Sequence, residues 1–326
     1  MERIGIIRGG MSDEYEISLK TGGRVIQALR KAGLEPVDML VTKDGNFHIN
    51  GKETDIERIP EFADGVFIAL HGKLGEDGRV QRALEQLGTP YNGTDSSHIG
   101  HTHDKRVSKQ IAAELGIAVP DSYVIPGAGT VPEGMREELA KRGAREIWEH
   151  VAPPWVVKPT NSGSSKLVRY AGTFPELESV VFELLGSTDD ILAETYIAGR
   201  EVHLFAAENF RNQDLYIAPP LEIFHGSKIL GENIREGGNY GSSFVGGSNE
   251  SLNKGLEKLA RDVFEKFGLA GYATMDFLVT PKKIYLLEID ALPALDDNSP
   301  LTRVLDGIGA PIDHVILQII KNKIPQ

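Results

Sequence analysis

Two short apolar runs, 271–279 and 283–289, are separated only by Thr280-Pro281-Lys282, a spacing that reads as a β-hairpin. Asp276 in YATMDF lies on the first run, and Glu288 and Asp290 in YLLEID close the second. With an odd number of loop residues Asp276 stands opposite Glu288. Directly opposed residues of an antiparallel pair share a face, and the two-residue period puts Asp290 on that face as well. Magnesium takes one or two carboxylates and completes its shell with water and substrate phosphates, so three converging carboxylates imply Mg2+ and a nucleoside triphosphate. The competing reading is a set of solvated strand-end acids, and the rest of the chain decides between the two.

At 326 residues the chain has room for two or three packed units. Its 40% hydrophobic and 25% charged content is that of an ordinary soluble enzyme, and no apolar run is long enough to cross a bilayer. The start, RIGIIRG, is strand-like and lacks a signal-peptide core, so the expected location is the cytoplasm, with no membrane partner. The absence of cysteine excludes disulfides, thiolate metal sites and a cysteine nucleophile. A net charge of -12 argues against nucleic-acid binding, so an anionic substrate must meet a focused positive pocket.

The first hundred residues alternate strand (3–8), helix (16–32), strand (36–41) and strand (65–70), the pattern of a small parallel α/β unit. Ligands bind outside the carboxyl ends of such sheets, where GGMSDE and HGKLGEDG fall. Gly9-Gly10 gives a flexible turn, and Ser12 is placed to cap the next helix, whose N-terminus favours an anion; Glu14 follows closely. The glycine pair is not the spaced dinucleotide fingerprint. His71, at the end of a buried strand, is expected to face ligand. His98, His101 and His103 lack a companion carboxylate–histidine motif and are assigned to an exposed helix start.

A second unit opens with a helix (102–115), a strand (121–125), a Gly/Pro/Glu-rich connector and a charged helix ending near His150. The buried strand WVVKP then presents Lys158 beside the loop Thr160-Asn-Ser-Gly-Ser-Ser165, followed by a strand at 166–170. Glycine and small hydroxyl residues let backbone amides approach phosphate while the lysine supplies a fixed charge, although the Walker A order is missing. A polar turn with a snorkelling lysine is the alternative. In the third unit Leu256, Leu259, Val263, Phe264 and Phe267 recur at helical spacing and form a core face. The glycine-rich stretch 226–248 is expected to be a structureless lid anchored by Tyr240 and Phe244, with disorder as the alternative.

GGMSDEYEISLKTG, ALHGKLGEDGRVQ with LGTPYNG, HDKRVSK, VVKPTNSGSS, AETYIAGRE and the acid cluster follow one another in an order and spacing that resembles the D-alanine–D-alanine ligases of the ATP-grasp superfamily, over nearly the whole chain. The resemblance implies a three-domain α/β ATP-grasp architecture: an N-terminal α/β substrate domain (1–100), a central domain (101–193) and a C-terminal metal-binding domain (194–326), with ATP between the last two. It implies Lys105, Lys158, Glu194 and Glu201 as ATP-binding residues and Asp276, Glu288 and Asp290 as magnesium ligands. Glu14 and Ser164 match the residues that position the first D-alanine, His71 lies near its carboxylate, and Tyr240 matches the lid tyrosine. The implied chemistry is an acyl phosphate formed from ATP and captured by the amine of a second D-alanine, for cell-wall peptidoglycan synthesis. Many such enzymes are homodimers.

The chain departs from that family around the second substrate. Thr274 stands where the family has the arginine that binds the acceptor carboxylate and the oxyanion, and Ala294 replaces its partner glycine in Pro293-Ala-Leu-Asp-Asp297. Asp290 replaces an asparagine. Ser299 is kept, but Pro300 removes a backbone donor. The lid lacks the family lysine; Lys228 and Arg235 are substitutes by position, and Arg303 is the nearest cation for the acceptor site. Two alternatives follow: a ligase of this fold with another amino acceptor, and a nucleotide-binding homologue without turnover.

Overall fold

The computed structural model describes residues 3–161, 163, 167–231, 234, 237, 239–246 and 249–324. Its strands form three sheets. The first contains β1 (Arg3–Gly9), β2 (Glu35–Val41), β3 (Phe47–Ile49), β4 (Lys52–Glu53) and β5 (Gly65–Ile68) in the order β4-β3-β2-β1-β5. β1 is parallel to β2 and β5, as the alternation predicts. The antiparallel edge β3 and β4 is an addition to that prediction. Its signal was present in Asn50-Gly51, a two-residue turn with φ of 49° and 79°. Ser12 does not cap the helix Tyr15–Lys31, whose N-cap is Glu14. Instead its hydroxyl donates to the His71 carbonyl at 2.9 Å and accepts from the Glu14 N–H at 3.3 Å, tying the two ligand loops together.

The second sheet is antiparallel, with β6 (Ser122–Ile125), β7 (Trp155–Pro159), β8 (Arg169–Ala171) and β9 (Ile191–Thr195) in the order β6-β9-β7-β8. Trp155, Val157 and Ala193 bury against Ala144, Ile147 and Val181 of the helices Arg136–His150 and Phe174–Leu184. A Thr173/Glu176 capping box fixes the start of the second helix. The helix expected at 102–115 is split into Gly100–His103 and Lys105–Glu114. Asp104 leaves helical geometry, and its carboxylate accepts from the Arg106 N–H, so that Lys105 is the first residue of a freshly capped helix.

The third sheet holds β10 (Arg200–Phe210), β11 (Gln213–Ile217), β12 (Leu221–Phe224), β13 (Gly241–Phe244), β14 (Tyr272–Val279) and β15 (Ile284–Asp290) in the order β13-β12-β10-β14-β15, with β11 also on β10. β13 corrects the expectation of a wholly structureless 226–248. Gly241–Phe244 pairs antiparallel with β12, from Phe224↔Gly241 to Leu221↔Phe244, and Phe244 packs on the core beside Gly307. The helix Glu250–Lys266 buries Leu256, Val263 and Phe264, as its spacing predicts. One core joins the first and third sheets: Ile4, Val25 and Leu29 share it with Phe205, Tyr272, Leu305 and Ile316. That shared packing brings the loops after β1 and β5 to the acidic end of β15.

Candidate active site

The hairpin forms with Asp276 opposite Glu288 and Thr274 opposite Asp290, the arrangement its acids call for. The route differs from the expected odd loop. Val279 pairs with Ile284, leaving Thr280, Pro281, Lys282 and Lys283 in the turn, and a bulge between Asp276 and Phe277 shifts the register by one residue. The extra residue is Leu287, and without this bulge Glu288 and Asp290 would face away from Asp276.

A cavity of about 360 Å³ lies between the second and third sheets. Val156, Lys158 and Glu194 line it from one side; Glu201, Asp276, Leu278 and Glu288 line it from the other. Lys158 Nζ is 2.6 Å from Glu194 Oε2, and Lys109 pairs with Oε1 of the same carboxylate. Burial alone would raise the Glu194 pKa, but the two ammonium groups hold it at about 2. Lys109 is pushed down by burial and by Lys158, against the pull of Glu194. Lys109 was not singled out from the sequence, although its place four residues after Lys105 puts both on one helix face. Glu201 accepts from His225 Nε2 at 3.2 Å, and this bond raises the His225 pKa. Lys228 also lines this cavity; Arg235 lies outside the described residues.

A smaller cavity is lined by Glu14, His71, Glu76, His103, Gly163, Thr274, Asp290 and Ala294, and it shares Lys105, Asp276 and Glu288 with the larger one. Lys105 Nζ lies 2.9 Å from Glu288 Oε1, and this partner keeps its pKa raised although burial pulls it down. The Glu14 carboxylate sits between two glycines: a Cβ at Gly72 or Gly163 would come within 2.8 or 2.7 Å of its oxygens. Gly163 therefore lies directly against the Glu14 carboxylate. Ser164, the adjacent candidate, lies outside the described residues. His71 Nε2 is 3.0 Å from Thr21 Oγ1, which in turn accepts from the Leu295 N–H at 3.3 Å. Asp290 is pushed well above the usual carboxylate range by burial and by Glu76, Glu288 and Glu14, against the Leu292 N–H it accepts from.

His103 corrects the assignment to an exposed helix start. Its side chain is 12% exposed and faces Glu76 at 3.4 Å, a residue that the sequence reading also passed over. Burial opposes the charged form of each, yet the pair raises His103 above 6.5 and lowers Glu76 below 4.5. The histidine part of this stabilisation is full below 6.5 and is lost as pH rises through the folded value; the glutamate part is full above 4.5 and is lost as pH falls through its own. His103→Gln is therefore expected to lower the melting temperature most near about pH 5.5, with the gap to wild type narrowing by about pH 9. A gap that widens with pH would remove the charged pair from this account.

The remaining candidates cluster around the helix Pro300–Gly307. The Ser299 hydroxyl caps that helix through the Thr302 N–H, and Ser299 is not among the described residues lining the smaller cavity. Tyr240 is buried, and its hydroxyl donates to the Asn298 carbonyl at 2.6 Å. Arg303 lies 3.8 Å from the Tyr240 ring centroid and donates to the Tyr240 carbonyl, so its described contacts hold Tyr240 in place.

The comparisons with known proteins agree with this geometry. The family model described as D-ala D-ala ligase C-terminus matches residues 111–321, and the D-alanine–D-alanine ligase of Aquifex aeolicus is 30% identical over 98% of this chain and 99% of its own length. The chain belongs to the D-alanine–D-alanine ligase family. The D-alanine–D-alanine ligase of Bacillus anthracis, solved in complex with ATP, superposes with a TM-score of 0.75 at 25% identity, covering 99% of this chain and 97% of that one. D-alanyl-alanine synthetase A from Vibrio cholerae superposes at 0.78 with 21% identity, over 100% and 99% of the two chains, and shares the fold, which is ATP-grasp. Among the described residues no helix is long and apolar enough to cross a membrane.

Proposed function

We propose that this D-alanine–D-alanine ligase family member joins two D-alanines at the expense of ATP, through an acyl phosphate, for peptidoglycan precursor synthesis. The observation that carries this is the shared wall of the two cavities: Lys105, Asp276 and Glu288 stand between a nucleotide-sized space and the pocket of Glu14 and His71. A phosphoryl group passing from one to the other crosses at those side chains. The domain limits 1–100, 101–193 and 194–326 belong to the same proposal, with the second limit moved past β9, whose residues Glu194 and Thr195 pair within the second sheet.

Among the described residues no three histidine, aspartate or glutamate side chains are gathered tightly enough to hold an ion as they stand, so the case for magnesium rests on the donor chemistry of the smaller cavity. Glu14, Glu76, Asp276, Glu288 and Asp290 line one small cavity whose described basic residues are Lys105, His71 and His103, and burial together with Glu76, Glu288 and Glu14 drives Asp290 toward its neutral form. Hard oxygen donors in excess of local positive charge suit a divalent cation held by Asp276, Glu288 and Asp290. When bound, magnesium supplies charge that neutralises the phosphate oxygens. The chain's own residues do the rest. Glu14 holds the ammonium of the first D-alanine, whose carboxylate oxygen bonds to the γ-phosphorus as the bond to ADP breaks. Lys105 and Lys158 offset the charge on the transferred group. The amine of the second D-alanine then attacks the acyl carbon, gives up a proton, and phosphate leaves.

Phosphate release with D-alanine, L-alanine and D-alanine paired with other amines tests the proposal. Release that depends on D-alanine alone supports it; release only with another amine, or ATP binding without release, replaces it with one of the two alternatives.

The Thr274/Asp290 pairing makes a sharper demand. An arginine at 274 would stand directly opposite Asp290 and form an ion pair with it rather than with a substrate carboxylate. Thr274→Arg combined with Asp290→Asn is therefore expected to lower KM for the second D-alanine by roughly ten- to a hundredfold, the worth of a charged hydrogen bond. Thr274→Arg alone should gain far less. Equal KM values in wild type, single and double variants would remove this position from acceptor binding.

A further inference from the structure

The geometry points to His203 as a positioning residue that orients Asp276 for the metal, an inference that rests on the magnesium reading above. β10 places His203 directly opposite Asp276 on β14, and the two-residue period puts it on the same face as Glu201, which lines the larger cavity. Its Nδ1 is 2.6 Å from Asp276 Oδ1. A carboxylate only accepts, so Nδ1 carries the hydrogen and donates it. His203 is 2% exposed, and its buried Nε2 has no hydrogen-bond partner among the described residues. Among the described residues the imidazole therefore makes one side-chain hydrogen bond, and that contact fixes one oxygen of a side chain shared by both cavities. Fixing the plane of a ligating carboxylate from behind removes rotamer freedom that metal binding would otherwise have to freeze.

A core histidine that merely fills space would contribute packing and nothing else. The two roles separate by the atom that donates. Asparagine sets its amide nitrogen where Nδ1 lies, glutamine reaches instead toward Nε2, and leucine offers no donor. Mn2+ binding is to be measured on the full-length protein by the electron paramagnetic resonance of free Mn2+, in the presence of a non-hydrolysable ATP analogue, beside urea unfolding of each variant.

The expected result for His203→Leu is a dissociation constant for Mn2+ raised by about ten- to a hundredfold, as for other residues that orient metal ligands, while His203→Asn stays within about threefold of wild type. Should the leucine variant not fold, His203→Gln carries the same comparison, since its donor is displaced. Unchanged Mn2+ binding in the leucine or glutamine variant overturns the proposal, and so does an asparagine variant as weak as the others. A wild-type protein that binds no Mn2+ removes the magnesium reading itself, and the role of His203 with it.

Discussion

Lys158→Ala is expected to lower turnover at saturating ATP about a hundredfold, which corresponds to about 3 kcal/mol of transition-state stabilisation. Lys158 is buried in the wall of the larger cavity, with its charge directed by Glu194. A lysine held this way is oriented before substrate arrives, and its contact with a phosphoryl oxygen strengthens as negative charge accumulates in transfer. Stability should change much less than activity, because Glu194 keeps Lys109 as a partner. The decisive measurement is steady-state turnover set beside the melting temperature. Wild-type turnover in the variant, or an activity loss matched by the unfolded fraction, would remove Lys158 from the chemistry.

The parts of this site that could be read from the chain are those generated by local rules. Strand periodicity placed Asp276, Glu288 and Asp290 on one face, and apolar spacing foresaw the helix Glu250–Lys266. The bulge at Leu287 shows the limit of such rules. The register of the acids depends on an even turn and one inserted residue together, and no local preference announces the insertion. The pairings of Lys109 and Glu76 are hidden for another reason, although the spacing of Lys109 from Lys105 already puts those two on one helix face. Lys109 and Glu76 are ordinary charged residues until a helix, a strand and a loop from different stretches of chain meet, and only then does burial make their pairings consequential. His203 belongs with them, since nothing in EVHLF indicates that the neighbouring strand will set an aspartate against it. Asn50-Gly51 is the opposite case: a strong hairpin signal that was there to be used.

The second large effect concerns stability. Glu194 is 3% exposed and is the shared anion of two buried lysines, so Glu194→Gln removes the carboxylate that both Lys109 and Lys158 pair with among the described residues. Removing the shared anion of a buried ionic cluster costs about 3–5 kcal/mol, far more than the net worth of the cluster, because the desolvation of the remaining charges is no longer offset. Urea unfolding should show that loss near neutral pH. It should also show its own relief. The folded pKa of Lys109 lies below the ordinary 10.5 even beside Glu194, so the penalty of its charge is present below that folded value and fades as pH rises through it toward 10.5. Lys109→Met in the same background should recover part of the stability, since it takes away one of the two opposed charges and substitutes an apolar chain of similar length. A Glu194→Gln protein as stable as wild type at pH 7, or one whose deficit does not change with pH or with Lys109→Met, would show that the two lysines leave the interior when their carboxylate is neutralised and that the buried cluster is not what holds β7, β9 and the helix from Lys105 together.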